Sequence, residues 1–148
     1  MGMYTEFFFR TTLKKDLPAD VLAVVKYFGG VTDERPTEDE LPDHPLFKCY
    51  RWEMLGRSYG QGRFDTMRQR DESKGAWGWD HNDGGTLAFW CEFKNYESEI
   101  QKFIDWITPH LASTLPEYLG YSLYEEDDEP RIYMSPDRDM ADWITRGS

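Results

Sequence analysis

Cysteine is scarce in this sequence, and so are cations and long apolar runs. Only Cys49 and Cys91 occur in 148 residues, each among hydrophobic or aromatic neighbours. Two such distant cysteines are typical of buried free thiols, and they form no paired metal-ligand spacing. The longest apolar stretch, around residues 21–28, is interrupted by Lys26 and is too short to span a bilayer. With no leader segment recognisable, a cytoplasmic protein in a reducing compartment is expected.

Catalytic motifs are missing as well: the sequence has no phosphate loop, dinucleotide fingerprint or hydrolase elbow. Asp43 beside His44 resembles a general base with its orienting carboxylate, but no nucleophile accompanies the pair. We predict a capping or loop-bracing role for these two residues, and an enzyme using His44 is the least favoured alternative. The segment WDHNDGG, residues 79–85, departs from the calcium-loop pattern, so we predict a solvated turn there. No catalytic residue, metal site or cofactor is predicted.

What the sequence has in excess is negative charge. Asp and Glu number 28 against 17 Lys and Arg, which gives a formal net charge of −11. Such a surface repels phosphate backbones, so direct binding of DNA or RNA is not expected. The same charge favours a protein partner with a basic surface, although acidity also serves simply to keep a protein soluble.

Hydrophobic periodicity predicts seven main elements and leaves one segment ambiguous. Residues 47–55, FKCYRWEML, fit either a strand or a single helical segment, and we favour the strand. The predicted strands cover residues 3–15, 62–71, 86–94 and the two flanks of an acidic turn at Glu125–Glu129. The predicted helices cover residues 17–28 and the segment from Asn95 to about Pro109, with a last short helix after Ser135.

This order of elements predicts the α+β class: a single domain over residues 3–134, followed by a C-terminal extension at 135–148. Strands grouped between two helices indicate a mostly antiparallel sheet with both helices on one face. A ferredoxin-like split arrangement is the first topology we consider. The other sheet face would then be free for loops or a partner, and Trp90, Tyr50 or Trp52 are candidates to lie there.

The candidate binding residues are indoles and carboxylates. Residues 74–85, KGAWGWDHNDGG, form a glycine-punctuated loop with two tryptophans between two predicted strands. Large aromatic side chains suit a binding hot spot, and acidic residues suit steering toward a basic surface. The predicted partner-binding residues are Trp77, Trp79, Trp90, Glu125, Glu126, Asp127, Asp128 and Glu129.

Several segments together carry a resemblance to a known group of proteins. They are MYTEFFF, LPDHPLF, RWEML, KNYESEIQKFIDWITPHL and GYSLYEEDDEPRIY, which lie between Met3 and Tyr133. In this combination the chain resembles a family of small uncharacterised proteins encoded by phages and prophages. The resemblance implies a setting in the host cytoplasm and transfers no catalytic residue.

Two functions from different classes follow from these observations. The first is a non-enzymatic protein-binding module of phage origin that inhibits a host or defence protein through an acidic, Trp-rich surface. The alternative is a sensor or sponge for a small-molecule or nucleotide-derived ligand, with an aromatic pocket closed by the glycine-rich loop.

Overall fold

A computed structural model describes residues 3–65 and 84–138 of the chain. In that part of the chain, five strands form one antiparallel sheet in the order β2-β3-β1-β4-β5. Two α-helices lie between strands in sequence. The elements are β1 (Thr5–Leu13), α1 (Ala19–Phe28), β2 (Gln61–Asp65), β3 (Gly85–Phe93), α2 (Glu99–Ile107), β4 (Tyr118–Tyr124) and β5 (Arg131–Met134).

The predicted fold class is confirmed. The first six elements run β-α-β-β-α-β with the sheet order β2-β3-β1-β4, which is the ferredoxin-like split arrangement. Strand β5 adds a fifth, edge position as a hairpin partner of β4. No helix of the described residues is long and apolar enough to cross a membrane.

The two faces of the sheet differ because side chains alternate along each strand. On one face, Phe7 and Phe9 of β1 and Phe89 of β3 are buried, and their rings meet Phe103 of α2 at 4.8–6.0 Å between centroids. Phe28 of α1 joins the same cluster, so both helices cover this face. We call the opposite side, which includes Glu6, Phe8 and Arg10 of β1 and Ala88, Trp90 and Glu92 of β3, the open face.

The prediction of a strand at residues 47–55 is wrong. The chain makes two short 3₁₀ turns there, Pro45–Lys48 and Trp52–Met54. Proline suits the first turn of a helix, and the His44 ring accepts a hydrogen bond from the Leu46 amide at the start of the first turn. Trp52 is buried against Phe28 on the helical side of the sheet rather than on the open face.

Both cysteines are free and buried, as the sequence predicted. Cys91 belongs to the core beneath β3, and burial raises the pKa of its thiol to about 12. At neutral pH the Cys91 thiol therefore stays protonated and behaves as a small apolar side chain.

Strand β2 crosses the end of α1 at a point where backbones touch. A Cβ atom added at Gly62 would lie 1.8 Å from the Phe28 carbonyl oxygen. One added at Gly29 would lie 2.5 Å from the Phe64 Cβ atom. Two glycines thus allow the helix end and the edge strand to approach more closely than side chains permit.

Candidate functional site

A row of side chains crosses the open face from strand to strand. Trp90 of β3 pairs with Phe8 of β1, Phe8 pairs with Tyr121 of β4, and Tyr121 pairs with Ile132 of β5. The Phe8 and Tyr121 rings stack at 5.9 Å, while Trp90 and Ile132 remain 38% and 53% exposed. The centre of this face is therefore aromatic and apolar, unlike the polar face that an antiparallel sheet usually turns to water.

To one side of this row, at the end of the strands where β1 begins and β4 ends, lies a second surface, which combines tyrosines with carboxylates. We call it the tyrosine–acid surface. Tyr4 precedes β1, Tyr124 ends β4, and the turn that follows Tyr124 supplies the acids. Its members are Tyr4, Tyr59, Tyr96, Tyr124, Glu125, Glu126 and Asp127.

Short contacts hold the tyrosine–acid surface together. The Tyr4 amide donates to the Glu125 carboxylate at 2.5 Å, and the Glu125 amide donates to the Tyr4 carbonyl oxygen at 3.1 Å. The Tyr4 and Tyr59 rings meet edge-on at 5.8 Å. Partial burial and the neighbouring Glu126 carboxylate raise the pKa of Tyr124, and Tyr96 is close enough to contribute to that shift.

A cavity of about 340 Å³ opens between this surface and the open face. Glu6 and Glu92 stand directly opposite each other on β1 and β3. The Tyr121 hydroxyl donates to Glu6, and this hydrogen bond raises the pKa of Tyr121 to about 12. The cavity is lined by Tyr4, Glu6, Glu92, Leu123, Tyr124, Glu125 and Asp127.

Cations of the chain itself already approach these rings. The Lys94 ammonium lies 5.8 Å from the centre of the Tyr4 ring, and the Arg51 guanidinium lies 5.1 Å from the centre of the Tyr96 ring. A cation within about 6 Å of an aromatic face is attracted by the ring quadrupole. The same rings, set among carboxylates, suit the Lys and Arg side chains of another protein.

Tyr59 has an unusual backbone conformation. Its φ is +46°, in the left-handed region that bulky residues seldom adopt. Its side chain is 71% exposed, so burial in the core does not offset this strain. Strained residues concentrate at functional sites, which makes Tyr59 the strongest indication of function on this surface.

His44 is held by hydrogen bonds at both ring nitrogens. Nδ1 accepts from the Leu46 amide at 3.1 Å, and Nε2 lies 2.9 Å from the Asp105 carboxylate. Because Nδ1 accepts, Nε2 carries the proton and donates to Asp105. The loop-bracing role predicted for His44 is therefore confirmed, with Asp105 of α2 as the carboxylate partner, and neither nitrogen is available to act as a general base.

The structure places part of the predicted site. Trp77 and Trp79 lie outside the described residues, as does the turn at residues 79–83. Trp90 is at the centre of the open face, two residues along β3 from Glu92. Among the predicted acids, Glu125 and Asp127 line the cavity and Glu126 neighbours Tyr124, while Asp128 and Glu129 are exposed farther along the turn.

The sequence reasoning missed the tyrosines. They are distant in sequence and belong to four different segments, so only the strand pairing brings them together. A signal was present at Tyr124, which directly precedes the acidic run Glu125–Glu129. Among residues 3–65 and 84–138, no group of His, Cys, Asp and Glu is arranged to hold a metal ion.

Comparisons with protein-family models, with curated proteins and with solved structures find no match to this sequence. The resemblance to phage and prophage proteins stays a prediction. The case for a site depends on the contacts, strain and charge described above.

Proposed function

We propose that this chain is a non-enzymatic protein-binding module whose tyrosine–acid surface docks onto a basic surface of another protein. The observation that carries the proposal is Tyr59, which is strained and exposed and whose ring meets Tyr4, the residue that pairs with Glu125 of the acidic turn. Tyrosine is among the residues enriched in the energetic centres of protein interfaces. A conformation that costs stability without adding to the core is explained if the side chain serves a partner.

Charge indicates the chemistry of that partner. The formal net charge of −11 steers a basic protein toward the chain, and Glu125, Glu126 and Asp127 concentrate negative charge beside the rings. Lys and Arg side chains of the partner would meet carboxylates and aromatic faces together. A basic surface of this kind often holds nucleic acid, so binding would inhibit its owner by occupying that surface.

The resemblance to phage and prophage proteins adds a setting to this proposal. In that setting the partner is a host or defence protein in the cytoplasm of the infected cell. The chain would then act by contact alone.

A matched pair of charge reversals tests the proposal. The partner is first captured from host cells with the wild-type chain, identified and purified. We expect Glu126→Lys with Asp127→Lys to raise its Kd about tenfold or more, because both reversals repel a basic partner. The control is Glu38→Lys with Asp39→Lys, which changes net charge by the same amount in an exposed 3₁₀ turn elsewhere.

Titration of each purified variant against the partner gives the comparison. The control pair should stay within about twofold of the wild-type Kd at about 0.15 M salt, where long-range charge effects are screened. Equal weakening by both pairs would show that net charge alone is responsible and would remove the tyrosine–acid surface from the account. Failure of the wild-type chain to capture any partner would count against the proposal too.

A further inference from the structure

The open face is polarised along the strands, on either side of the row that contains Trp90, Phe8 and Tyr121. Arg63 of β2, Ala88 of β3 and Arg10 of β1 stand side by side. They lie two positions from the aromatic row, toward one end of the strands. Ala88 is short, and a hollow of about 430 Å³ lies between the two arginines, lined in addition by Phe8, Asp65 and Thr86. Glu92 of β3 and Glu6 of β1 stand side by side two positions from the row in the opposite direction.

This arrangement is self-complementary. Consider a two-fold axis that lies in the plane of contact, along the aromatic row. It turns a second copy over, so that each aromatic residue faces its own counterpart, and it exchanges the two ends of the strands. The basic positions lie about 6.6 Å to one side of the row, at about 3.3 Å per residue, and the acidic positions lie equally far to the other side.

We propose that the open face is the interface between two copies of this chain, packed sheet on sheet about this axis. Arg10 of each copy then faces Glu6 of the other. Ala88 faces Glu92 of the second copy, whose carboxylate enters the hollow between Arg10 and Arg63. Aligned sheets pack about 10 Å apart with their strands within about 30° of each other, which keeps the charged rows opposed.

Two features of the single chain support a second copy as the occupant. Trp90 on β3 and Ile132 on the edge strand β5 are exposed along the aromatic row, and an aromatic stripe of this kind is stabilised when a second apolar surface covers it. Glu6 and Glu92 face each other across adjacent strands, which is unfavourable between like charges unless a cation approaches both. Arg10 and Arg63 of the second copy supply that cation. By symmetry, Arg10 and Arg63 of the first copy do the same for Glu6 and Glu92 of the second.

The net charge of −11 opposes association at long range. At about 0.15 M salt the Debye length is about 8 Å, so charges spread over the two surfaces repel weakly while contacting Arg and Glu side chains still attract. The open face adjoins the tyrosine–acid surface at the cavity that Glu6 and Glu92 line. The oligomeric state of the purified chain and the Kd for the partner are measured separately, so failure of this inference is distinguishable from failure of the proposed function.

Sedimentation velocity at about 0.15 M salt tests the interface with two complementary charge reversals. The wild type should sediment as a dimer across the micromolar range. Arg10→Glu alone and Glu6→Arg alone should each be monomeric, with the dimer Kd raised by about 100-fold or more, since each places like charges in contact twice. An equimolar mixture of the two variants should form a heterodimer, because each contact between positions 6 and 10 then joins one carboxylate to one guanidinium.

Controls separate the interface from folding. Lys26→Glu reverses an exposed charge on α1, on the other side of the sheet, and should stay dimeric. Circular dichroism confirms that the single variants are folded. If Glu6→Arg fails to fold because Tyr121 loses its acceptor, Arg10→Glu still tests the interface, because it leaves that hydrogen bond intact and should be monomeric. A monomeric wild type, single variants that remain dimeric, or a mixture that yields no heterodimer would overturn the proposal.

Discussion

Replacing Phe103 by Ala should lower the free energy of unfolding by about 3–5 kcal/mol, the usual cost of removing a buried phenyl ring. Phe103 is fully buried at the centre of α2. Its ring joins the helix to both central strands and to α1, so no single neighbour can collapse into the space. The nearest ring centroids are those of Phe9 at 4.8 Å, Phe89 at 5.4 Å and Phe28 at 5.7 Å.

Chemical denaturation measures this loss, and a fall in Tm on the order of 10 °C should accompany it. The control is Ile104→Ala on the same helix, where the side chain is only partly buried. It makes the same change in helix propensity and should cost about 1–1.5 kcal/mol. Equal losses for the two variants would contradict the placement of Phe103 at the junction of the core.

The second large effect is expected at Gly62, where a single methyl group has no room. Alanine would place its Cβ 1.8 Å from the Phe28 carbonyl oxygen, so either β2 or the end of α1 must move by more than an ångström. The obstacle is backbone, which cannot rotate away as a side chain does. Overpacking of this kind costs about 3 kcal/mol.

Because β2 is a five-residue edge strand, it is expected to separate from α1 before the rest of the sheet changes. Hydrogen exchange in Gly62→Ala should therefore accelerate at residues 61–65 more than in β1. Gln61→Ala, on the neighbouring exposed position, should leave both stability and exchange close to wild type. Wild-type stability in Gly62→Ala would show that α1 and β2 do not meet as described.

The sequence predicted those elements in which apolar side chains recur with a single regular spacing and no local hydrogen bond favours another structure. Alternation along residues 5–13 and 85–93 correctly placed Phe7, Phe9, Leu87 and Phe89 on one buried face. It failed at residues 47–55, where Tyr50, Trp52 and Met54 fit a strand while the first-turn proline and the His44 cap favour 3₁₀ turns. Local hydrogen bonds decided that segment, and periodicity does not report them.

The candidate site was predicted in its acidic half only. The run of acids after Tyr124 is visible in one stretch of sequence, but the rings beside it come from residues that are tens of positions apart. Tyr96 falls within the helix predicted from Asn95, but the helix begins at Glu99 and Tyr96 is 56% exposed. The strain at Tyr59 depends on its φ angle, which no composition or spacing reveals.

The claim that this chain works by contact is tested most directly by Tyr59→Asn. Asparagine adopts the left-handed region readily, so the substitution relieves backbone strain while it removes the exposed ring. We expect Tm to stay within about 3 °C of wild type and the Kd for the purified partner to rise by about 30-fold, as for an interface hot spot worth about 2 kcal/mol. An unchanged Kd in a folded Tyr59→Asn chain would contradict the account.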